Sequence, residues 1–256
     1  SAASDVYKRQ LGTGFTTTDV DLIFAIPTQG RDEVEADVET ACDLGVEQIS
    51  TYPLIPFSYT PLRRLLQERE ISLSPWWVER QMLRSIVRKA RDAGYQRTSI
   101  WSFNKPGTSR YTTVTKDAFV GIGAGASSRI GDYFSLNTFS VAEYIKAVEN
   151  GSPLSLATRL NSGDKMAYWL FWRCYDLAID TDTFRSIFGR DLPYKLRALL
   201  SLLNVLGIVH RQGNNIRLTD VGAYLFHLVE KEYTRAYLKT LWEACLNEAW
   251  PRRVVL

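Results

Sequence analysis

Residues 20–27, VDLIFAIP, follow the period of an extended chain: Val20, Leu22, Phe24 and Ile26 share one face, and Asp21, Ile23 and Ala25 the other. The run is rich in strand formers and closes on Pro27. In the next segment, RDEVEADVETACDLG, Val34, Val38, Ala41 and Cys42 recur at helical spacing and Gly45 marks the stop. VEQISTYPLIP predicts a second strand, ended by prolines. Ser74 and Pro75 open a long helix through WWVERQMLRSIVRKARDAG, with serine as N-cap, proline at the first helical position and Gly94 as the stop. YQRTSIWSF predicts a third strand, and NKPG turns the chain out of it. The order β-α-β-α-β implies parallel strands joined by right-handed crossovers. In that architecture ligands lie beyond the carboxyl ends of the strands, here IPTQG, YPLIPFS and WSFNKPG.

After Ser152 and Pro153 the pattern changes. KMAYWLFWRCYDLAI is a strongly apolar, aromatic helix, and TDTFRSIFGRDL a short one stopped near Gly189. PYKLRALLSLLNVLGIV and HRQGNNIRLTDVGAYLFHLVEKEY then give helix, strand, Gly-Asn-Asn turn, strand and helix, the order of a winged helix. The domain boundary is placed near residue 150, dividing 16–150 from 151–256. SAASDVYKRQ has no period, so residues 1–15 are expected to be a non-native or disordered end of an N-terminally incomplete chain.

The composition is that of a globular protein: 45% hydrophobic, 23% charged, and a net charge of only +3 that implies no acidic partner. No run approaches the ~18 apolar residues of a membrane helix, and no charged segment followed by an apolar core marks a secretory signal. Cys42, Cys174 and Cys245 are far apart and odd in number, so neither a disulfide framework nor a local metal cluster is supported. They read as reduced thiols of a cytoplasmic protein. His210 and His227 have no nearby ligand partner, and Tyr168, Trp169 and Trp172 read as a core stripe.

Two features carry chemistry. In FVGIGAGASS, residues 119–128, Gly121, Gly123 and Ala126 fit a dinucleotide-type spacing. The segment runs on into RIGDYFSLNTF, a turn with extended flanks, and a helix opening on the last glycine is missing. The small residues are better read as allowing close backbone approach, either to a neighbouring strand or to a ligand. The second feature is Asp21, which needs a compensating partner beneath crossover helices. It is either a structural carboxylate tying a loop or backbone amide, or a carboxylate facing the cavity at a barrel mouth.

Taken in order, these segments resemble the oxygen-independent coproporphyrinogen III oxidases and their relatives. DLIFAIPTQG is similar to the family's D-L-I-x-G-L-P-x-Q-T, QISTYPLIPFSYTPL to its next strand and apolar-proline loop, and WSFNKPG to N-F-A-x-P-G. VGIGAGASSRIGDYFSLNTFSVAEYIKAVENG resembles its G-x-G-x-x-A-x-S segment with the later asparagine and tyrosine, and RLTDVGAYL its L-T-x-x-G-x-x-L. The resemblance implies an α/β fold: the C-terminal part of a partial (β/α)6 radical S-adenosylmethionine barrel, followed by a helical, winged-helix-like domain. It implies S-adenosylmethionine and a 4Fe–4S cluster as cofactors of the full-length protein, with the cluster-ligating cysteines absent from this chain, which would be inactive alone. It also implies a porphyrin or haem-type substrate and an electron donor for the full-length enzyme; that no membrane is a partner is expected from the lack of a long apolar run. Asp21, Ile55 and Ser127 fall where family members contact S-adenosylmethionine; catalytic residues are not assigned.

The departures bear on activity. Ala25 stands where glycine is usual and Gly30 where threonine is usual, and TSRYTTVTKDAF replaces a His-Asn-rich stretch near the substrate. The leading expectation is oxidative decarboxylation of porphyrinogen propionates. A haem chaperone or a haem-degrading methyltransferase of the same family is the alternative. A nucleic-acid-binding winged helix is the reading from another class, and its basic residues are spread out rather than gathered on one face.

Overall fold

The computed structural model describes residues 9–10, 12–57, 60–112 and 115–255; of the 1–15 end, residues 1–8 and 11 lie outside them. The described residues form two compact units, one of residues up to 56 with 60–112, the other of residue 57 with 115–255.

In the first unit β1 (Asp19–Phe24), α1 (Arg31–Asp43) and β2 (Gln48–Pro53) make a parallel crossover, with Asp19 opposite Gln48 and Asp21 opposite Ser50. A helix that the periodicity did not reveal, α2 (Pro61–Glu68), precedes α3 (Trp76–Asp92). Pro75 is the N-cap of α3, so the helix starts at Trp76 and Ser74 does not cap it. Beyond its end Gly94 adopts φ 85°, a left-handed conformation that favours glycine. Val34, Val38 and Ala41 of α1, Met82, Leu83 and Ile86 of α3, and Val20, Phe24 and Ile49 of the sheet are all buried and form this unit's core.

The third strand corrects the parallel expectation. YQRTSIWSF is a hairpin: β3 (Gln96–Arg97) pairs antiparallel with β4 (Ser102–Asn104), and β4 pairs antiparallel with β2, giving the order β1-β2-β4-β3. The reversal is held by side chains. Ser99 Oγ accepts from the amides of Trp101 and Ser102 at 3.3 and 3.0 Å, and the Arg97 guanidinium donates to the Ile100 carbonyl at 2.6 Å.

The second unit opens with an antiparallel sheet, β5 (Ser127–Ile130), β6 (Tyr133–Asn137) and β7 (Leu154–Arg159), in that order. Gly131, at φ 57°, turns β5 into β6. Between β6 and β7 lies α4 (Val141–Asn150), capped by Ser140, whose Oγ accepts from the Glu143 amide at 3.3 Å. Because β7 pairs with β6, residues on both sides of 150 share one sheet. The units therefore divide after residue 113, and residues 115–150 group with the C-terminal part.

The rest follows the winged-helix order. α5 (Ser162–Tyr175), β8 (Ala178–Asp180), α6 (Thr181–Phe188), α7 (Tyr194–Val205), β9 (Val209–Gln212) and β10 (Asn215–Leu218) surround Trp169, Ile179, Phe184, Leu192, Leu200 and Ile216. The sheet order is β8-β10-β9, and Gly213 at φ 60° makes the tight wing turn. α8 (Asp220–Tyr233) follows, then a π-helical turn (Thr234–Leu238) and α9 (Lys239–Asn247). The L-T-x-x-G segment has a physical reason here. Thr219 Oγ1 accepts from the Gly222 amide at 3.2 Å as N-cap of α8 and donates to Gly207 O at 2.8 Å. A Cβ on Gly222 would meet the Ile208 carbonyl oxygen at 2.0 Å, so only glycine lets the helix start this close to the wing.

Candidate functional site

In the first unit the face of the sheet opposite the core is polar. Asp19 and Asp21 of β1, Gln48, Ser50 and Tyr52 of β2, and Ser102 and Asn104 of β4 share it by register. At the end where β1 and β2 begin, Gln48 ties this face together. Its Nε2 donates to Asp19 Oδ2 at 2.7 Å and to the Tyr111 carbonyl at 3.0 Å. Its Oε1 accepts from Asn104 Nδ2 at 3.0 Å and from the Tyr111 amide at 2.9 Å. One side-chain amide thus binds both backbone groups of Tyr111, as a neighbouring strand would. Ser50 Oγ adds a bond to Asp19 Oδ2 at 2.8 Å, while Asp19 Oδ1 is buried with no partner. Burial raises the Asp19 pKa, with the Asp21 charge adding to it against the bonds from Ser50 and Gln48.

Asp21 lies one rung further along, and its surroundings differ. It is the third of the six residues of β1, in mid-strand rather than at the carboxyl end. Its side chain is exposed and makes no hydrogen bond or ion pair with any described residue. Partial shielding by the sheet raises its pKa, and Tyr52, itself pushed up by burial and then by the Asp21 charge, stands near it. A structural carboxylate therefore describes Asp19, held by the β2 side chains Gln48 and Ser50, and not Asp21. Sequence reasoning missed Asp19 and Gln48. The available signal was the aspartate two residues before Asp21, which alternation puts on the same face.

Beyond β1 the IPTQG loop is strained. Ala25 and Thr28 take φ 59° and 71°, the left-handed region where a side chain crowds the backbone. Glycine at position 25, usual in the similar sequences, would relieve this. Ala25→Gly should raise the stability of the first unit by about 0.5–1 kcal/mol in urea titrations, the reverse of an ordinary buried Ala→Gly exchange. A loss of stability would remove strain from the account of this loop. Leu54 extends the β1–β2 pairing by donating to Phe24 O at 2.9 Å, and half-buried Ile55 follows it.

Asp21 and Ile55 belong to neighbouring strands of the first unit; Ser127 begins β5 of the second. There a Cβ on Gly121 would meet the Ser127 carbonyl oxygen at 2.1 Å, and the Gly121 amide donates to Ser128 Oγ at 3.0 Å. Gly123 and Gly125 take φ 114° and 70°. At Gly121, then, the close approach is to a neighbouring strand, and the segment leads into β5 rather than a helix. Of the TSRYTTVTKDAF stretch, residues 113 and 114 lie outside the described ones. Just beyond them Arg173 donates to the Thr115 carbonyl and Arg129 to the Asp117 carbonyl, with the Arg129 guanidinium 4.4 Å from the centre of the Tyr168 ring.

A second buried carboxyl, not foreseen from the sequence, belongs to Glu230 of α8. It is 5% exposed, its Oε2 has no partner, and burial pushes its pKa up to about 7. His227, one turn earlier, is fully buried and stacks on Tyr224.

The residues present do not fit an iron–sulfur cluster. Among the described residues no three His, Cys, Asp or Glu side chains gather as a metal site, and burial pushes the Cys174 thiol up to about 12, far from the thiolate iron requires. No helix among them is long and apolar enough to cross a membrane.

Comparison with known proteins agrees with this architecture. No family model matches the chain. Its structure aligns with coproporphyrinogen III oxidase (HemN) from Escherichia coli, a radical SAM enzyme, at a TM-score of 0.68 and 19% identity, covering 90% of this chain and 58% of that one. The fold is thus that of part of a radical SAM enzyme. By sequence the chain is 26% identical over 224 residues to the haem chaperone HemW of Bacillus subtilis, covering 86% of this chain and 59% of the relative. It is 24% identical over 249 residues to the oxygen-independent coproporphyrinogen III oxidase of Pseudomonas aeruginosa, covering 89% and 53%, and 25% identical over 154 residues to that of Cereibacter sphaeroides, covering 54% and 34%. By sequence the chain is thus similar to oxygen-independent coproporphyrinogen III oxidases and haem chaperones, and it spans between 34% and 59% of the length of these relatives.

Proposed function

We propose that this chain supplies part of the S-adenosylmethionine site of a tetrapyrrole-handling radical SAM protein, and that the complete protein oxidatively decarboxylates porphyrinogen propionates. The observation that carries the reading is Asp21: a partly shielded carboxylate on the polar face of the sheet, with every other described group leaving its oxygens open. A carboxylate so placed accepts charge-assisted hydrogen bonds from a ligand's amino or hydroxyl groups. Ile55, beyond β2, would offer apolar contact and backbone polar groups to the same ligand. When bound and reduced by a cluster, S-adenosylmethionine supplies a carbon-centred radical. This chain's residues bind and orient it; the described ones offer no ligand set for the cluster.

Haem delivery without decarboxylation is the second reading, favoured by the match to HemW over 86% of the chain. The complete, cluster-loaded protein incubated anaerobically with coproporphyrinogen III, S-adenosylmethionine and a reductant separates the two. Oxidative decarboxylation should release carbon dioxide and yield vinyl-bearing product by mass spectrometry. Unchanged substrate, together with stoichiometric binding of haem, would overturn the first reading in favour of the second.

A further inference from the structure

After β4 the chain crosses the start of the first sheet as irregular backbone, and that backbone is firmly tied down. The Lys105 amide donates to the Glu47 carbonyl at 2.9 Å, Thr17 Oγ1 to the Ser109 carbonyl at 2.6 Å, and Arg110 to the Thr98 carbonyl at 2.9 Å. The last hold is the Gln48 amide on both backbone groups of Tyr111. Gln48 is 1% exposed, whereas the Tyr111 it grips is 58% exposed, and the Tyr111 ring makes no hydrogen bond or ring contact with a described residue. Ordering a backbone costs entropy, and here the bonds do not serve to bury the side chain they carry.

The register places that side chain. Gln48, Ser50 and Tyr52 alternate along the polar face of β2, so about 13 Å separates the first from the last. Asp21 pairs with Ser50, midway between them. Tyr111 enters the face over Gln48, yet its hydroxyl is close enough to that of Tyr52 for its charge to act there, as the Asp21 charge does. Its side chain therefore runs along the face toward Tyr52. Tyr52 is itself fixed, edge-on to the buried Trp101 with ring centres 5.7 Å apart. The Asp21 carboxylate thus stands between two tyrosines, one held by its ring and the other by its backbone.

We infer that Tyr111 is a ligand-contacting residue of this site, its ring a wall for the planar base of a nucleoside whose sugar hydroxyls Asp21 takes. The inference rests on the S-adenosylmethionine reading of Asp21 and names the part of that ligand each side chain meets. A phenol ring offers a flat π-face, the kind of surface on which nucleobases stack. A base and its sugar are joined by a single bond, which suits a ring and a carboxylate that neighbour each other on one face. Because Gln48 holds Tyr111 by its backbone, the wall is set before the ligand arrives, and less ordering is paid on binding.

Calorimetric titration of S-adenosylmethionine and of adenosine into the complete, cluster-loaded protein tests this, with Tyr111→Ala, Tyr111→Phe and Asp21→Asn beside the wild type. Tyr111→Ala should weaken both ligands about five- to a hundredfold, the worth of one base–aromatic stack, and Tyr111→Phe should stay within about twofold of the wild type. The melting temperature of ligand-free Tyr111→Ala should hold, since the ring is exposed and alanine keeps both backbone groups. Unchanged affinity in Tyr111→Ala beside weakened binding in Asp21→Asn would overturn this inference and leave the Asp21 reading standing. Unchanged affinity in both variants would remove the two together. A loss for S-adenosylmethionine but not adenosine, a wild type that does not bind adenosine, or a loss that comes with a lower melting temperature would each overturn the contact with the base.

Discussion

Gln48→Leu should lower the stability of the first unit by about 2–4 kcal/mol, because it strands the buried Asn104 amide and several half-buried groups at once. Leucine fills nearly the same volume, so packing changes little. The Asp19 carboxylate loses its 2.7 Å donor, Asn104 loses its acceptor, and Tyr111 loses partners for both its amide and its carbonyl. An orphaned buried group costs about 1–3 kcal/mol, a half-buried one less because water reaches it, and local relaxation recovers part of the sum. Gln48→Glu should be worse at neutral pH, since it sets a carboxylate against Asp19, and should regain stability as the pH falls and the pair takes up a proton. Hydrogen exchange of the β2 and β4 amides reads this unit separately from the other. A loss under 1 kcal/mol for Gln48→Leu would mean the polar face is held by something other than this amide.

Glu230→Gln should remove most of a pH dependence in the second unit. Burial raises the carboxyl from its ordinary 4.5 to about 7. For an acid raised by folding, the contribution to stability is fully present below pH 4.5 and is lost as the pH climbs to 7. Above 7 both states are ionised and the cost stays constant. The interval corresponds to about 3 kcal/mol, or on the order of 8 °C in melting temperature for a unit of this size. Glutamine keeps the shape without the charge, so the variant should melt at nearly the same temperature at pH 5 and pH 8 and exceed the wild type at pH 8. Parallel falls in both proteins would assign the pH dependence to other groups.

Much of the fold was legible, and the failures have physical causes. β1, α1, β2 and α3 each keep one period over enough residues to fix their type. The third strand did not, because Ile100 and Trp101 are strand formers sitting in a turn. The reversal there depends on Arg97 and Ser99 side chains bonding to the backbone, which no periodicity records. In the site, Asp21 stood out as a charge within an apolar run. Asp19 and Gln48 did not, since polar residues at the start of a strand look like a solvated end until register pairs them. Glu230 was hidden among the charges of LVEKEY; its spacing from buried His227 and Thr234 puts all three on one face, against the usual sorting of polar groups outward. The departure at Ala25 carried real information, because the structure needs a left-handed residue there.

The central claim, that the polar face holds S-adenosylmethionine through Asp21, is tested most directly by calorimetric titration of that ligand into the complete, cluster-loaded protein and its Asp21→Asn variant. Asparagine keeps the shape and removes the charge, so affinity should fall about ten- to a hundredfold, the loss of roughly 1.5–3 kcal/mol of charge-assisted hydrogen bonding, while the melting temperature of the ligand-free protein holds. Equal affinities for the two proteins, with a lower melting temperature in the variant, would make Asp21 a structural residue and contradict the account.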